Sequence, residues 1–228
     1  MANPAPAPNL RVRYAKIITP AGAYQLTPQD VLWAARSAFY EGGSPADVLW
    51  TETQRFTTMR GSFSTFAVFV QAFSQPINPK WRRTGEFCRP GGKYAGTDAC
   101  SPARLTRRDN AAMLSWATLY KRNPELVAVV LAWANGQLPN PVPRVTNFAD
   151  TTVAAHWLKN NDGDVFKHGE NVFIVEAASR TWDRNHVTLQ ADDGAVASAD
   201  GVQAGTGAGQ GFLAVFMNSL LHPLNSKV

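Results

Sequence analysis

The chain has 228 residues, 45% of them hydrophobic and 17% charged, which is ordinary for a soluble globular protein and enough for one cored domain plus an appendage. No apolar stretch reaches the ~18–20 residues needed to cross a bilayer. The net charge of +5 draws on a cluster of Arg82, Arg83, Arg89, Arg104, Arg107 and Arg108, which suits a polyanion; lacking aromatic interleaving or a binding motif, it reads as a solvated face, and no specific nucleic-acid partner is expected.

Residues 1–25 read as an arm: a stiff Pro-rich start without the basic and apolar regions of a signal peptide, then one short strand over 12–18. Thr27-Pro28-Gln29-Asp30 signals a helix start, with Thr as N-cap, Pro at the first position and an acid in the first turn. Val31, Leu32, Ala34, Ala35, Ala38 and Phe39 recur at helical spacing. The helix stops at Glu41, where Gly42-Gly43 follows. Ser44-Pro45-Ala46-Asp47 restarts a helix carrying Val48, Leu49 and Phe56, ending near residue 60. Residues 62–74 read as a third helix, whose Phe63, Phe66, Phe69 and Phe73 form a core stripe; it breaks at Gln75-Pro76.

Residues 77–105 read as loop. Within it Cys88 and Cys100 flank a Gly-rich stretch, and a disulfide worth about 3 kcal/mol is expected, with a pair of buried free thiols as the alternative. A disulfide points to an oxidising destination. Helical pattern resumes over 106–122, and Asn123-Pro124-Glu125 caps a further helix through Trp133 that ends at Asn135-Gly136. Pro139, Pro141 and Pro143 exclude helix after it. Strands are expected over 144–148 and 165–175, the second turning at His168-Gly169. Residues 191–210 read as a Gly/Ala/Asp-rich linker. The apolar segment 211–224 beyond it is too short to span a membrane, and can dock on its own domain, a partner or a bilayer surface. Three parts follow: an arm (1–25), a domain (26–180), and a linker with its apolar segment (181–228). The four histidines show no zinc spacing, and no metal or cofactor is expected.

Glu41 is the candidate catalytic residue. A carboxyl at a helix C-terminus faces the negative end of the dipole, and flanking Phe39 and Tyr40 can desolvate it; both disfavour ionisation. A protonated carboxyl beside an open Gly-Gly turn is what glycosidic cleavage needs as its general acid. The nearest acids in sequence, Asp47 and Glu52, read as a helix N-terminal acid and a solvated helix residue.

The order of several short motifs resembles the cell wall hydrolase family of spore-cortex lytic enzymes (SleB-like). Phe39-Tyr40-Glu41-Gly42-Gly43-Ser44-Pro45 is similar to that family's catalytic turn, and Gln54-Arg55-Phe56 to the end of its second helix. Val68-Phe69-Val70-Gln71 with Gln75-Pro76, Asn135-Gly136-Gln137-Leu138-Pro139, Thr146-Asn147-Phe148 and His168-Gly169-Glu170-Asn171-Val172-Phe173 follow in the family's order. Asn147 and Asn171 stand where the family has histidines, and Ser44 lies near the place of its second acid. The resemblance covers roughly residues 27–175.

It implies an α+β, mainly α, lysozyme-like domain with a small β-hairpin and a flexible C-terminal extension. The implied activity is cleavage of peptidoglycan glycan strands by a lytic transglycosylase or muramidase. Glu41 would be the catalytic residue, with Tyr40, Gln75, Thr146, Asn147, Phe148 and Asn171 binding substrate. Bacterial peptidoglycan is the expected partner, with other virion proteins or a membrane surface met through the C-terminal segment. The expected location is a phage virion or the host periplasm and cell wall. The alternative is a non-catalytic envelope-binding or virion protein on the same scaffold.

Overall fold

A computed structural model of the chain describes residues 13–19, 22–149, 163–168, 171–176 and 188–191, and these form an α+β fold that is mainly helical. The first helix, α1 (Pro28–Glu41), begins as the sequence dictates. The Thr27 hydroxyl accepts from the Asp30 N–H at 3.2 Å, and the Asp30 carboxylate accepts from the Thr27 N–H at 2.8 Å, closing a capping box. Asp30 does more than cap. Wholly buried, it also accepts from the Tyr24 hydroxyl at 2.9 Å and the Ala67 N–H at 2.7 Å. A buried carboxylate is tolerated only when so compensated, and here the compensation ties α1 to its neighbours on both sides.

The second helix, α2 (Pro45–Thr58), follows directly after the Gly42-Gly43 turn. The third, α3 (Phe66–Phe73), is shorter than the expected 62–74, because Thr65 accepts from the Val68 N–H at 3.2 Å and so caps it there. Phe56 of α2 meets Tyr24 and Phe66 edge-on at 5.1 and 5.2 Å. Trp133 packs 5.5 Å from Phe66, its indole N–H donating to the Thr53 hydroxyl at 3.1 Å. These rings are buried, each worth roughly 1.5–3 kcal/mol of transfer free energy.

The helix expected over 106–122 is two. These are α4 (Pro102–Met113) and α5 (Trp116–Arg122), the second capped by Ser115, whose hydroxyl accepts from the Thr118 N–H at 3.2 Å. The last helix among the described residues, α6 (Pro124–Ala134), matches its expected caps, Asn123 accepting from the Leu126 N–H at 2.9 Å. Between α3 and α4, Cys88 and Cys100 are joined, with their Cα atoms 5.5 Å apart. That removes the free-thiol alternative. The disulfide sits with Leu105 in a small core of its own, against which Trp81, Phe87 and Tyr94 pack.

Two three-stranded antiparallel sheets complete the fold. In the first, β1 (Lys16–Thr19) lies between β2 (Gly22–Gln25) and β6 (Thr188–Gln190). In the second, β5 (Asn171–Glu176) lies between β3 (Asn147–Ala149) and β4 (Gly163–His168). This corrects the expected boundaries at 25 and 180. Ala15 and Ile17 are wholly buried in the main core, and β1 pairs with β6, so both supposed flanks belong to the folded unit. The expected strand over 144–148 is also shortened, since Arg144 adopts φ 69°, outside any strand conformation. The chain divides into one unit through Asp192 and a second over Asp193–Val228. That second unit, with the expected linker and apolar segment, lies outside the described residues, as do residues 1–12.

Candidate active site

The Glu41 turn needs its glycines. Gly42 and Gly43 have φ 78° and 72°, positive values that other residues adopt only at a cost, and Gly42, with ψ −179°, lies where essentially only glycine goes. A Cβ at Gly43 would also collide with the Asn171 side-chain amide, so the start of β5 packs directly against the turn that ends α1. Asn171 therefore buttresses the turn. It does not line the cavity beside Glu41.

Gln54 places the opposite wall. Its amide Nε2 donates to the carbonyls of Val142 and Val145 at 2.9 and 2.8 Å. Its Oε1 accepts from the Arg144 N–H at 2.6 Å and the Asn140 amide at 3.2 Å. One side chain on α2 thus meets the backbone needs of the turn leading into β3, holding Arg144 in its left-handed conformation. Thr146, Asn147 and Phe148 follow at once.

The result is a cavity of about 130 Å³ between helices and strand. It gathers five of the expected residues, Glu41, Gln75, Thr146, Asn147 and Phe148, although 107 residues of chain separate the first from the last (148 − 41). Tyr40 is elsewhere: its ring packs edge-on to Phe39 at 5.1 Å, and the Arg107 guanidinium lies 5.5 Å from it. Tyr40, expected to bind substrate, is therefore not part of this cavity. The aromatic lining is Phe69, Phe73 and Phe148, and among the described residues no Trp takes part. Arg55 also lines the cavity, donating to Asn147 Oδ1 while its guanidinium sits 4.1 Å from the Phe73 ring.

The larger correction is Glu52. Rather than a solvated helix residue, it is 7% exposed and lines the same cavity as Glu41. It accepts from the Ser37 hydroxyl at 2.5 Å through Oε1, while Oε2 has no hydrogen-bond partner among the described residues. Asp47, expected to be a simple first-turn acid, is likewise buried. Burial pushes the Glu52 carboxyl well above the usual glutamate range, the nearby Glu41 carboxyl adds to this, and the Ser37 bond opposes it. Burial also raises Glu41, against the opposing pull of the Ser74 hydroxyl and the Arg107 charge. Two carboxyls so close resist ionising together. Burial disfavours ionisation of Glu52 most, and Glu41, the partly exposed one, is the group a ligand can reach.

The Thr51 and Thr146 hydroxyls are buried in this lining and, like Glu52 Oε2, find no partner among the described residues. Buried polar atoms are normally satisfied, and leaving one unmet costs about 1–3 kcal/mol.

The signal for Glu52 was present in the sequence. Leu49, Glu52, Thr53 and Phe56 fall at i, i+3, i+4 and i+7, the buried stripe of α2, so the glutamate stands where an apolar residue belongs. No family model, curated protein or solved structure matches this chain.

Proposed function

We propose that this chain cleaves the glycan strand of bacterial peptidoglycan, at the bond between N-acetylmuramic acid and N-acetylglucosamine, as a lytic transglycosylase with Glu41 as its acid and base. The observation that carries this reading is the cavity itself. One reachable carboxyl of raised pKa stands among phenyl faces and the polar side chains of Arg55, Gln75 and Asn147. Such a lining suits a sugar, which offers both apolar ring faces and hydroxyls.

Protonated Glu41 gives its proton to the glycosidic oxygen as the bond from the anomeric carbon breaks. The carboxylate left behind takes the proton of the muramic acid C6 hydroxyl, whose oxygen closes on the anomeric carbon to form a 1,6-anhydro ring. Glu41 ends as it began. A hydrolase needs a second carboxylate, ionised, to activate water or attack directly. Glu52 is the only second glutamate lining the cavity among the described residues, and burial disfavours its ionised form. Its Oε2 is also closed to solvent, so a glycosidic oxygen reaches Glu41 instead.

The disulfide suits an oxidising place of work, and on this reading the enzyme acts from a phage virion or as a lysin at the host wall. Incubating the full chain with purified peptidoglycan and weighing the released fragments tests the reading. Anhydro-ended muropeptides are expected. Reducing ends would replace the transglycosylase by a hydrolase, and binding without release would leave a non-catalytic envelope-binding protein.

A further inference from the structure

The arginine cluster is more than a solvated face. On α4, Arg104, Arg107 and Arg108 fall at i, i+3 and i+4, one helix face. With Gln75 and Pro76 they line a second cavity of about 100 Å³ that contains no acidic residue. Gln75 lines the Glu41 cavity as well, so the two adjoin.

Arg108 is 5% exposed and fixed: Nη1 donates to the carbonyls of Trp81 and Ala99 at 3.2 and 2.7 Å, and its guanidinium lies 5.2 Å from the Trp81 ring. Arg107 donates from Nη2 to the Tyr40 carbonyl at 3.3 Å. Arg104 meets Asp98 at 3.0 Å, with both side chains more than half exposed, and such pairs contribute little. Burial first, then the charges of Arg104 and Arg107, disfavours the charged form of Arg108. Three guanidiniums around one acid-free cavity are an arrangement an anion would relieve, and their planar forks match the oxygens of carboxylates and phosphates.

We propose that this cavity is an oxyanion-binding subsite, taking a carboxylate or phosphate group carried by the polymer whose strand lies at Glu41. The identity of that polymer rests on the cleavage reading; the binding of an anion does not. Two sources share the chemistry, the free carboxylates of peptide stems and the phosphodiesters of wall polymers.

Inorganic phosphate and acetate are titrated into the full chain at low salt and followed by calorimetry, beside the double variant Arg104→Gln/Arg107→Gln. Arg108 stays in place because it is buried, and circular dichroism confirms that the variant is folded. Saturable binding that weakens about tenfold or more in the variant, the scale of two lost charge-assisted bonds, supports the subsite. Absence of saturable binding, or equal binding by both proteins, overturns it.

The source follows from fragment release by both proteins on three wall preparations: stems with free carboxylates, stems amidated, and walls stripped of phosphate polymers. Since Arg107 also acts on Glu41, the variant-to-wild-type ratio is compared between substrates rather than read alone. Amidation removing the difference identifies stem carboxylate, and stripping removing it identifies wall phosphate. An unchanged ratio on all three overturns the role in substrate binding. Arginine-dependent phosphate binding without release from any wall would keep the subsite and sink the cleavage reading.

Discussion

The two walls of the Glu41 cavity are held in different ways. On the helical wall, Glu41 and Glu52 take their places from α1 and α2, which are fixed by Asp30 and the Phe56–Phe66–Trp133 packing of the main core. The strand wall, Thr146 to Phe148, is held by pairing with β5, by the packing of Phe148 against buried Phe173, and by the Gln54 amide, which fixes the turn that leads into it. On the proposed reading, proton transfer belongs to the helical wall and substrate contact to the strand wall, whose leading turn is tied down from across the cavity by Gln54, so the two walls should fail differently when altered.

The largest effect is expected on the helical wall. Glu41→Gln keeps shape and removes the proton, so cleavage should fall about 10²–10⁴-fold with the melting temperature near wild type. Cleavage at the wild-type rate would remove Glu41 from the mechanism.

On the strand wall, Gln54→Ala should act through position rather than chemistry. It leaves the Val142 and Val145 carbonyls and the Arg144 N–H without their partner, a destabilisation of about 2–5 kcal/mol. The apparent KM on soluble glycan fragments should rise more than kcat falls. A variant of wild-type stability would show that the turn into β3 holds itself.

These two residues also mark what could be read from the chain and what could not. Glu41 stands out locally, between two aromatic residues and two glycines, and the helix starts at Thr27-Pro28, Ser44-Pro45 and Asn123-Pro124 carry the same sequence signature, a capping residue followed by proline, although the Ser44 side chain makes no capping bond. Ser101-Pro102 carries it too, yet a loop of glycines and cysteines before it hides a helix start, and α4 was expected four residues late (106 − 102). Gln54 is different in kind. Its partners lie 86 to 91 residues along the chain, and nothing in its own neighbourhood specifies them. Glu52 lies between these cases: its place on the buried stripe of α2 is legible, but its nearness to Glu41 depends on how two helices pack. The β1–β6 pairing, which undoes the expected domain ends, joins segments about 170 residues apart and has no local signature.

A smaller effect tests the junction of the walls. Gly43→Ala places a Cβ in a left-handed conformation and against the Asn171 amide, so it should cost roughly 1–2 kcal/mol from the backbone alone. Pairing it with Asn171→Ala separates the two terms. The double variant should recover the part due to the collision and keep the part due to φ, and thermal melts of the three proteins measure both.

The smallest effect on rate is expected at Glu52, where the informative quantity is stability against pH. Its carboxyl pKa is raised in the folded state, burial being the main cause. Below the usual glutamate range both folded and unfolded chains hold this proton, and it contributes nothing to the pH dependence. As pH climbs past about 4.3, the unfolded chain releases the proton while the folded chain retains it, so stability falls until the folded carboxyl ionises too. Glu52→Gln removes that term, and the melting temperature should decline less steeply with rising pH than in wild type. The slope that remains includes the contribution of Glu41, whose pKa is shifted in the same direction. The amide nitrogen can still donate a hydrogen bond, so cleavage should fall well short of the ~10²-fold loss that marks a missing general acid. If Glu52→Gln instead abolishes cleavage, the buried carboxyl is the proton donor and Glu41, nearer the Arg107 charge, is its ionised partner; the walls would then divide the chemistry differently.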